Sequence, residues 1–366
     1  MEVAMEYVAR VPAETLHAFT RDVFVRAGIS PQHAADGADV LLWASRRGVD
    51  THGVRNLKLI YLRMLEAGLI NPRAHFFVEH ETPVSARVNG DGGLGLAAAS
   101  WAMRLAMGKA EQSGMAFVTM RNSFHLGAAG FYPAMALERD MIGLCLTGHF
   151  NGQGSEIGVL PTFGSRPMFS TNPIAVAFPT QNEAPWVLDM ATSIAPYNRV
   201  VLHRENGLPV PPQWGLTAAG EPTPDAQLMK KMWPLGSDRA HGGHKGYGLS
   251  MMVATMCAVL SGGWDDGHDE DPAAFDGFKQ TGDSHFFGAI RIDAFRPVDG
   301  FKRGMDAMIQ ALHAAPKEEG QERIYVAGEI EHETEQKRLQ EGIPLTAVTV
   351  ADLKELSEKF GVGLDI

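Results

Sequence analysis

Apolar side chains recur three and four residues apart through the first seventy positions, a spacing that predicts helices. Pro12 can open the first. Ser30-Pro31 gives the second a hydroxyl N-cap and a proline at its first position. Ala34, Ala38, Leu41, Leu42 and Ala44 then line one face until Gly48 stops the run. A third helix from about residue 56 carries Leu57, Ile60, Tyr61, Met64 and Leu65 on one side and ends at Gly68. From about residue 76 the pattern changes. Segments 84–88, 115–120, 142–147, 174–178 and 186–190 read as buried strands, with helices at 101–112 and 132–139 between some of them.

Residues 148–169 have little period, and loops of that length inside a compact domain are usually functional. An apolar helix at 247–260 precedes an acidic, glycine-rich excursion at 262–283. A strand at 286–292 and a helix at 300–314 follow. Thr349 and Asp352 mark a capping-box-like start to the last helix. Strands alternating with helices between two helical ends predict an α/β fold whose terminal segments pack together.

At 366 residues there is room for two or three domains. The 32 basic and 43 acidic residues give a formal charge of -11, with no dense basic patch. That balance argues against nucleic acid as a partner but leaves an anionic substrate open. Cys145 and Cys257 sit in apolar runs and read as buried free thiols of a reducing compartment. The start Met-Glu-Val-Ala-Met-Glu carries no secretory pattern, and the longest apolar helix is too short to span a bilayer. The expectation is a cytoplasmic protein without a membrane partner.

Candidate chemistry falls in short polar runs. Gly48-Val49-Asp50-Thr51-His52-Gly53-Val54 puts a histidine between a hydroxyl and a glycine at the end of a helix. Phe169-Ser170-Thr171-Asn172-Pro173-Ile174 is a small-polar turn suited to laying backbone N–H groups against an anion. His241-Gly242-Gly243-His244-Lys245-Gly246 leads into the apolar helix, where glycines, a helix dipole and a lysine favour an anion. The P-loop spacing is absent. Asn122-Ser-Phe-His125-Leu-Gly127, Asp189-Met-Ala-Thr-Ser193, Pro212-Gln-Trp214 and Gly328-Glu329 complete the set. Gly90-Asp91-Gly92-Gly93-Leu94-Gly95 matches the dinucleotide fingerprint G-x-G-x-x-G, yet the next strand runs into Arg121-Asn122 where an acid is needed. No zinc spacing appears around the fourteen histidines.

In this order the runs resemble the type-2 malate/L-lactate dehydrogenase family over nearly the whole chain. The resemblance implies a non-Rossmann α/β fold: a mixed-sheet cofactor domain at 76–292, and a helical domain built from 1–75 and 293–366. It implies hydride transfer between NAD or NADP, with NAD the expected form, and C2 of a small 2-oxo or 2-hydroxy acid. A homodimer and a small organic-acid substrate follow from it too. His52 suits the proton donor or acceptor because imidazole titrates near neutrality. Thr51 would orient the ring or relay a proton, and Asp189 would fix its tautomer. His125 falls in the site with substrate-binding or acid/base duty. The cofactor would lie on Ser170, Thr171, Asn172, Pro173 and Ile174, on His244 and Lys245, and on Gly328 and Glu329. The Gly90–Gly95 run is then a structural turn.

Departures bear on the substrate. The family commonly places a carboxylate-clamping arginine four residues after the histidine. Asn56 stands there, with Arg55 one residue earlier and about 100° away on a helix. Asn198-Arg199 replaces a Gly-Lys, and His149, Asn151 and Gln153 make the following loop unusually polar. The alternatives are reduction of a cyclic imine carboxylate such as piperideine-2-carboxylate and, more remotely, a Thr51–His52–Asp189 hydrolase. A threonine held against its own neighbour has poor geometry for attack, and no G-x-S-x-G elbow is present.

Overall fold

The computed structural model describes residues 6–152, 154–155, 157–265, 279–280 and 282–366. Gln153 and most of the expected 262–283 excursion lie outside them. Strand β1 (Ala9–Val11) leads into helices α1 (Ala13–Arg26) and α2 (Pro31–Arg46), and a 3₁₀ turn, Asp50–His52, follows. A π-helix, Leu57–Leu62, continues as α3 (Arg63–Glu66). The hairpin β2 (Phe77–Thr82) and β3 (Ser85–Asn89) opens the main sheet, and α4 (Gly95–Ser113) crosses to β4 (Met115–Ser123). Then come α5 (Phe131–Met135), β5 (Met141–Gly148), β6 (Gly158–Val159), β7 (Ile174–Phe178), β8 (Trp186–Met190) and α6 (Tyr197–Glu205). Next are β9 (Gly215–Leu216), β10 (Lys231–Met232), α7 (Gly243–Ala254), β11 (Trp264–Asp265), β12 (Lys279–Gln280) and β13 (Asp283–Arg291). Helices α8 (Val298–Ala314) and α9 (Glu329–Glu341), strand β14 (Ile343–Leu345) and helix α10 (Ala347–Phe360) close the described chain.

The main sheet runs β2-β3-β4-β13-β5-β7-β8. β3 and β4 are parallel, as the α4 crossover requires, and every other neighbouring pair is antiparallel. This is the mixed sheet expected, not a doubly wound parallel one. Helix α4 begins six residues before the expected start. Its small residues Ala97, Ala98, Ala99, Ala102 and Ala106 are fully buried, which lets it sit between the sheet and α2. The terminal segments do fold together: β1 pairs antiparallel with β14, and Lys58 bonds Asp352 at 2.7 Å and Glu355 at 2.6 Å. Helix α8 meets the sheet instead, where Asp306 accepts the backbone N–H groups of Gln181 and Asn182 in the β7–β8 turn.

Several local expectations change. Ser30 caps α2 as foreseen, accepting His33 N–H. The last helix is capped by Thr346, whose hydroxyl accepts Thr349 N–H, so Thr349 lies inside the first turn and Asp352 pairs with Lys58. The third helix is π-wound at its start. Strand β2 and helices α6 and α9 carry too few regularly spaced apolar residues to announce themselves: α9 buries only Glu329 and Arg338.

The Gly90–Gly95 turn is closed by protein. Gly90 and Gly92 N–H groups donate to Arg121 O (3.0 Å) and Asn122 O (2.9 Å), and Gly93 N–H to Gly90 O (2.8 Å). A Cβ on Gly95 would lie 2.1 Å from the carbonyl oxygen of Phe124. The turn therefore clamps the chain leaving β4. Gly95→Ala should destabilise the protein by about 1–3 kcal/mol, because the obstacle is backbone. Gly108→Ala, with nothing within 4 Å in the same helix, should stabilise it by about 0.4–1 kcal/mol. Denaturant melts of both variants check the pair, and equal effects would contradict the clamp.

Candidate active site

Strand ends converge on one edge of the sheet. The ends of β4 and β5, the start of β13, the start of β7 and the end of β8 all lie there by register, with Ser123 opposite Asp283, Gly148 opposite Ser284 and Ile174 opposite Met190. Between Asp283 and His285 the β4–β13 pairing slips, and Asn122 takes a left-handed conformation (φ 54°). Asparagine tolerates that region better than most side chains. The resulting bulge swings Ser123–His125 across the sheet edge, a common use of bulges beside active sites.

His52 reaches the same edge from the terminal helices. Gly48 ends α2 and the chain doubles back so closely that a Cβ on Gly53 would lie 2.2 Å from Ser45 Oγ, which accepts Val54 N–H. Arg338 of α9 bonds both oxygens of Asp50 (2.5 and 2.9 Å) and Ser45 O (2.6 Å). Asn56 and Asn198 amides donate to Thr51 O. The turn is held from three sides.

The two rings meet nearly parallel, 5.6 Å between centroids and 17° between planes. Thr51 Oγ1 lies 2.9 Å from His52 Nδ1, which leaves Nε2 for a ligand. Gly127 N–H, which can only donate, points at His125 Nδ1 (3.3 Å), and the Tyr61 hydroxyl is 2.8 Å from the same atom. Nδ1 is thus an acceptor, and the neutral His125 ring carries its proton on Nε2. Tyr61 is fully buried, and the π-helix that contains it sets this contact. Both rings keep a partly accessible edge although protein surrounds them, which describes the floor of a cleft. Burial, then the neighbouring His125, lowers the His52 pKa to about 3. Burial lowers His125 too, against the pull of Asp283.

Two of the expected cofactor segments adjoin this cleft. Asn172 is buried with φ 37°; its amide bonds Ser250 O on α7 (3.1 Å) and His149 N–H (3.0 Å). Its side chain is structural and fixes the turn against α7. Thr192 donates to Thr171 O, and Leu235 N–H to Thr192 O, tying the turn to the segment that enters α7. The Ser170 and Thr171 hydroxyls and the Lys245 ammonium make no hydrogen bond or ion pair among the described residues, and the first turn of α7 contains no acid. His244 accepts from Arg239. This donor set, a lysine and small or glycine residues at a helix N-terminus, fits the phosphates of a dinucleotide.

A family model described as malate/L-lactate dehydrogenase matches residues 11–354. The chain belongs to the malate/L-lactate dehydrogenase family. It is 36% identical to a malate dehydrogenase of Pyrococcus abyssi, with 99% of this chain and 98% of that protein aligned. The solved malate dehydrogenase of Entamoeba histolytica superposes with a TM-score of 0.88 at 33% identity, over 98% of this chain and 99% of that one. The Δ1-piperideine-2-carboxylate reductase of Pseudomonas syringae superposes with a TM-score of 0.78 at 26% identity, over 95% and 100%.

Within this malate/L-lactate dehydrogenase fold four expected side chains have other partners. Asp189 accepts Gly130 N–H at 2.7 Å, and the contact orienting His52 belongs to Thr51, so no Thr–His–Asp relay forms. Burial, opposed by the Gly130 N–H, raises the Asp189 carboxyl to about 6. Arg55 is ion-paired with Glu205 of α6, and Asn56 is buried against Thr51, so neither presents a free cation. Arg55 instead lines a cavity of about 60 Å³ behind the site, with Asp50, Leu202 and Thr346. Glu329 accepts Val326 N–H (3.0 Å), His313 (3.1 Å) and Arg323, which commits its carboxylate to the loop. Gly328 O accepts Arg47.

The sequence pattern overlooked Tyr61, Asp283 and His285. His285 is fully buried beside Thr147 (2.8 Å), and burial, opposed by Asp283, lowers it to about 4. Its folded pKa lies below the ordinary 6.5, so between these values the unfolded chain binds the extra proton. Stability is full above 6.5 and falls as pH drops toward the folded value, by up to about 1.4 kcal/mol per pH unit. Urea unfolding from pH 7 to pH 5 should show a shallower loss in His285→Gln than in the parent; equal slopes would contradict a buried neutral ring.

Proposed function

We propose that this chain is a nicotinamide-dependent dehydrogenase that interconverts a small 2-hydroxy acid and its 2-oxo acid. The observation that carries the reading is the His52 imidazole: neutral, fixed at Nδ1 by Thr51 and open at Nε2, on a cleft floor it shares with His125. When bound, the nicotinamide exchanges a hydride with C2 of the acid. During oxidation the substrate hydroxyl gives its proton to His52 Nε2, and during reduction the same atom returns it. A ring held neutral is ready to act as the base. Its protonation for the reverse direction is favoured by the charge of a bound carboxylate.

His125, with its proton on Nε2, donates a hydrogen bond to a substrate oxygen. Arg199 is exposed, lies beside Asn198 on the turn that touches Thr51, and has no hydrogen-bond or ion-pair partner for its side chain among the described residues. It supplies the carboxylate clamp that Arg55 and Asn56 do not. Lys245 and the Thr171–Pro173 turn hold the phosphates of NAD, the expected form, or NADP. Gly328 contributes backbone only. Asp189, at the exposed end of β8, borders the same cleft. The enzyme acts as a homodimer. The likeness to a piperideine-2-carboxylate reductase supports a second reading, in which the same site reduces a cyclic imine carboxylate.

His52→Ala should reduce kcat by roughly 10²–10⁴-fold while nucleotide fluorescence titrations stay unchanged. In the same assays Arg199→Gln should raise KM for the acid more than it lowers kcat. Oxaloacetate, pyruvate and piperideine-2-carboxylate, each with NADH and NADPH, separate the two readings. Undiminished turnover in His52→Ala would defeat both.

A further inference from the structure

At the rim of the cleft, beside its two rings, lies a carboxylate that the proposed reaction leaves without a part. Asp283 opens β13 opposite Ser123, two residues before His125, at the point where the bulge breaks the register. The groups acting on it come from every element packed around it: His285 from its own strand, His125 from the loop after β4, His149 from the end of β5 and Tyr61 from the π-helix. His149 Nδ1 lies 3.8 Å from its Oδ1, and both of these side chains keep more than a third of their surface open, so the pair forms the outer rim of the cluster. His285, in contrast, is fully buried. Burial pushes the Asp283 carboxyl up, yet contact with His149 and the nearby His285 and His125 holds it below its ordinary value. It is an anion set among imidazoles.

Such a site has an electrostatic requirement. Oxidation moves a proton from the substrate hydroxyl onto an imidazole in a place where burial disfavours the cation. A nearby fixed negative charge offsets that penalty, and Asp189 faces Gly130 and Glu331 instead. We propose that Asp283 is a positioning residue of the reaction, acting through the His125 imidazole as the fixed negative charge against which the site gains and loses its proton, with His149 tempering that charge from the rim. The proposal rests on the hydroxy-acid reading above. Asp283 itself forms no bond: on oxidation the C2–H hydride passes to the nicotinamide, the hydroxyl proton to His52 Nε2, and Asp283 stays ionised throughout.

The sign of the effect is fixed. Oxo-acid reduction needs the protonated imidazole in the substrate complex, so its kcat falls as pH rises through that pKa. Removing the anion lowers the pKa. With oxaloacetate, or pyruvate where that is faster, and reduced nicotinamide, Asp283→Asn should move the alkaline limb of the profile about one pH unit toward acid. Reduction at pH 7.5 should fall on the order of tenfold, with nucleotide titration and thermal unfolding close to the parent. Asp283→Glu should restore the profile, and His149→Asn should move the limb the other way. An Asp283→Asn profile superimposed on that of the parent overturns the proposal. So does loss of nucleotide binding and cooperative unfolding in both Asp283→Asn and Asp283→Glu, which would make the residue purely structural. An inactive His52→Ala beside an unmoved Asp283→Asn profile defeats this inference alone, whereas an active His52→Ala defeats the functional reading first.

Discussion

The near-parallel contact of His52 with His125 joins the terminal helices to the edge of the sheet, at the rim of the hydrophobic core that the two layers share. One ring is carried by the turn after α2, which α9 braces through Arg338 and Asp50. The other is carried by a strand end that a bulge turns across the sheet, braced by the Gly90–Gly95 turn and by Tyr61. A shift of either ring by the width of a hydrogen bond would separate a proton acceptor from its substrate.

The same contact explains the charge arrangement. Loss of hydration on burial, joined at His52 by the neighbouring His125, lowers the pKa of both imidazoles and keeps them neutral at pH 7. Neutral rings make good bases and hydrogen-bond donors but poor cations. Positive charge is therefore found at the margins, on Lys245 at the start of α7 and Arg199 on α6, while negative charge sits at the rim beside His149, on Asp283. The chain as a whole is acidic, so the local placement of these few groups, more than net charge, determines how an anionic substrate is received.

Much of this was legible in the sequence because it is contiguous. Thr51-His52-Gly53 holds its hydroxyl, ring and close-approach glycine in three adjacent positions, and Asn122-x-x-His125-x-Gly127 holds a bulge residue, a ring and the donor to that ring in six. The α/β alternation followed from strand-like runs separated by helical ones, while the mixed character of the sheet followed from the family resemblance. What escaped was made by register. Asp283 meets His149 and His125 only because β13 lies between β4 and β5, and no spacing along the chain encodes that order. The π-helix at 57–62 escaped because Leu57, Ile60, Tyr61 and Met64 satisfy an α-helical period equally well. Arg55, a substrate-binding candidate one residue off the expected clamp position, is taken up by Glu205, a partner too far along the chain for any spacing to announce. The glycine fingerprint is the reverse case: its spacing is right, but, as its reading as a structural turn requires, its N–H groups are taken by the protein's own backbone.

The most direct test of the central claim is a crystal structure of the enzyme with NADH and oxamate, a non-reacting analogue of a 2-oxo acid. The nicotinamide should lie over the cleft with oxamate between it and the two histidines, its oxygen within about 3.2 Å of His52 Nε2, and the pyrophosphate near Lys245 and the Thr171–Pro173 turn. A nicotinamide lying away from His52, or phosphates seated on the Gly90–Gly95 turn, would contradict the account.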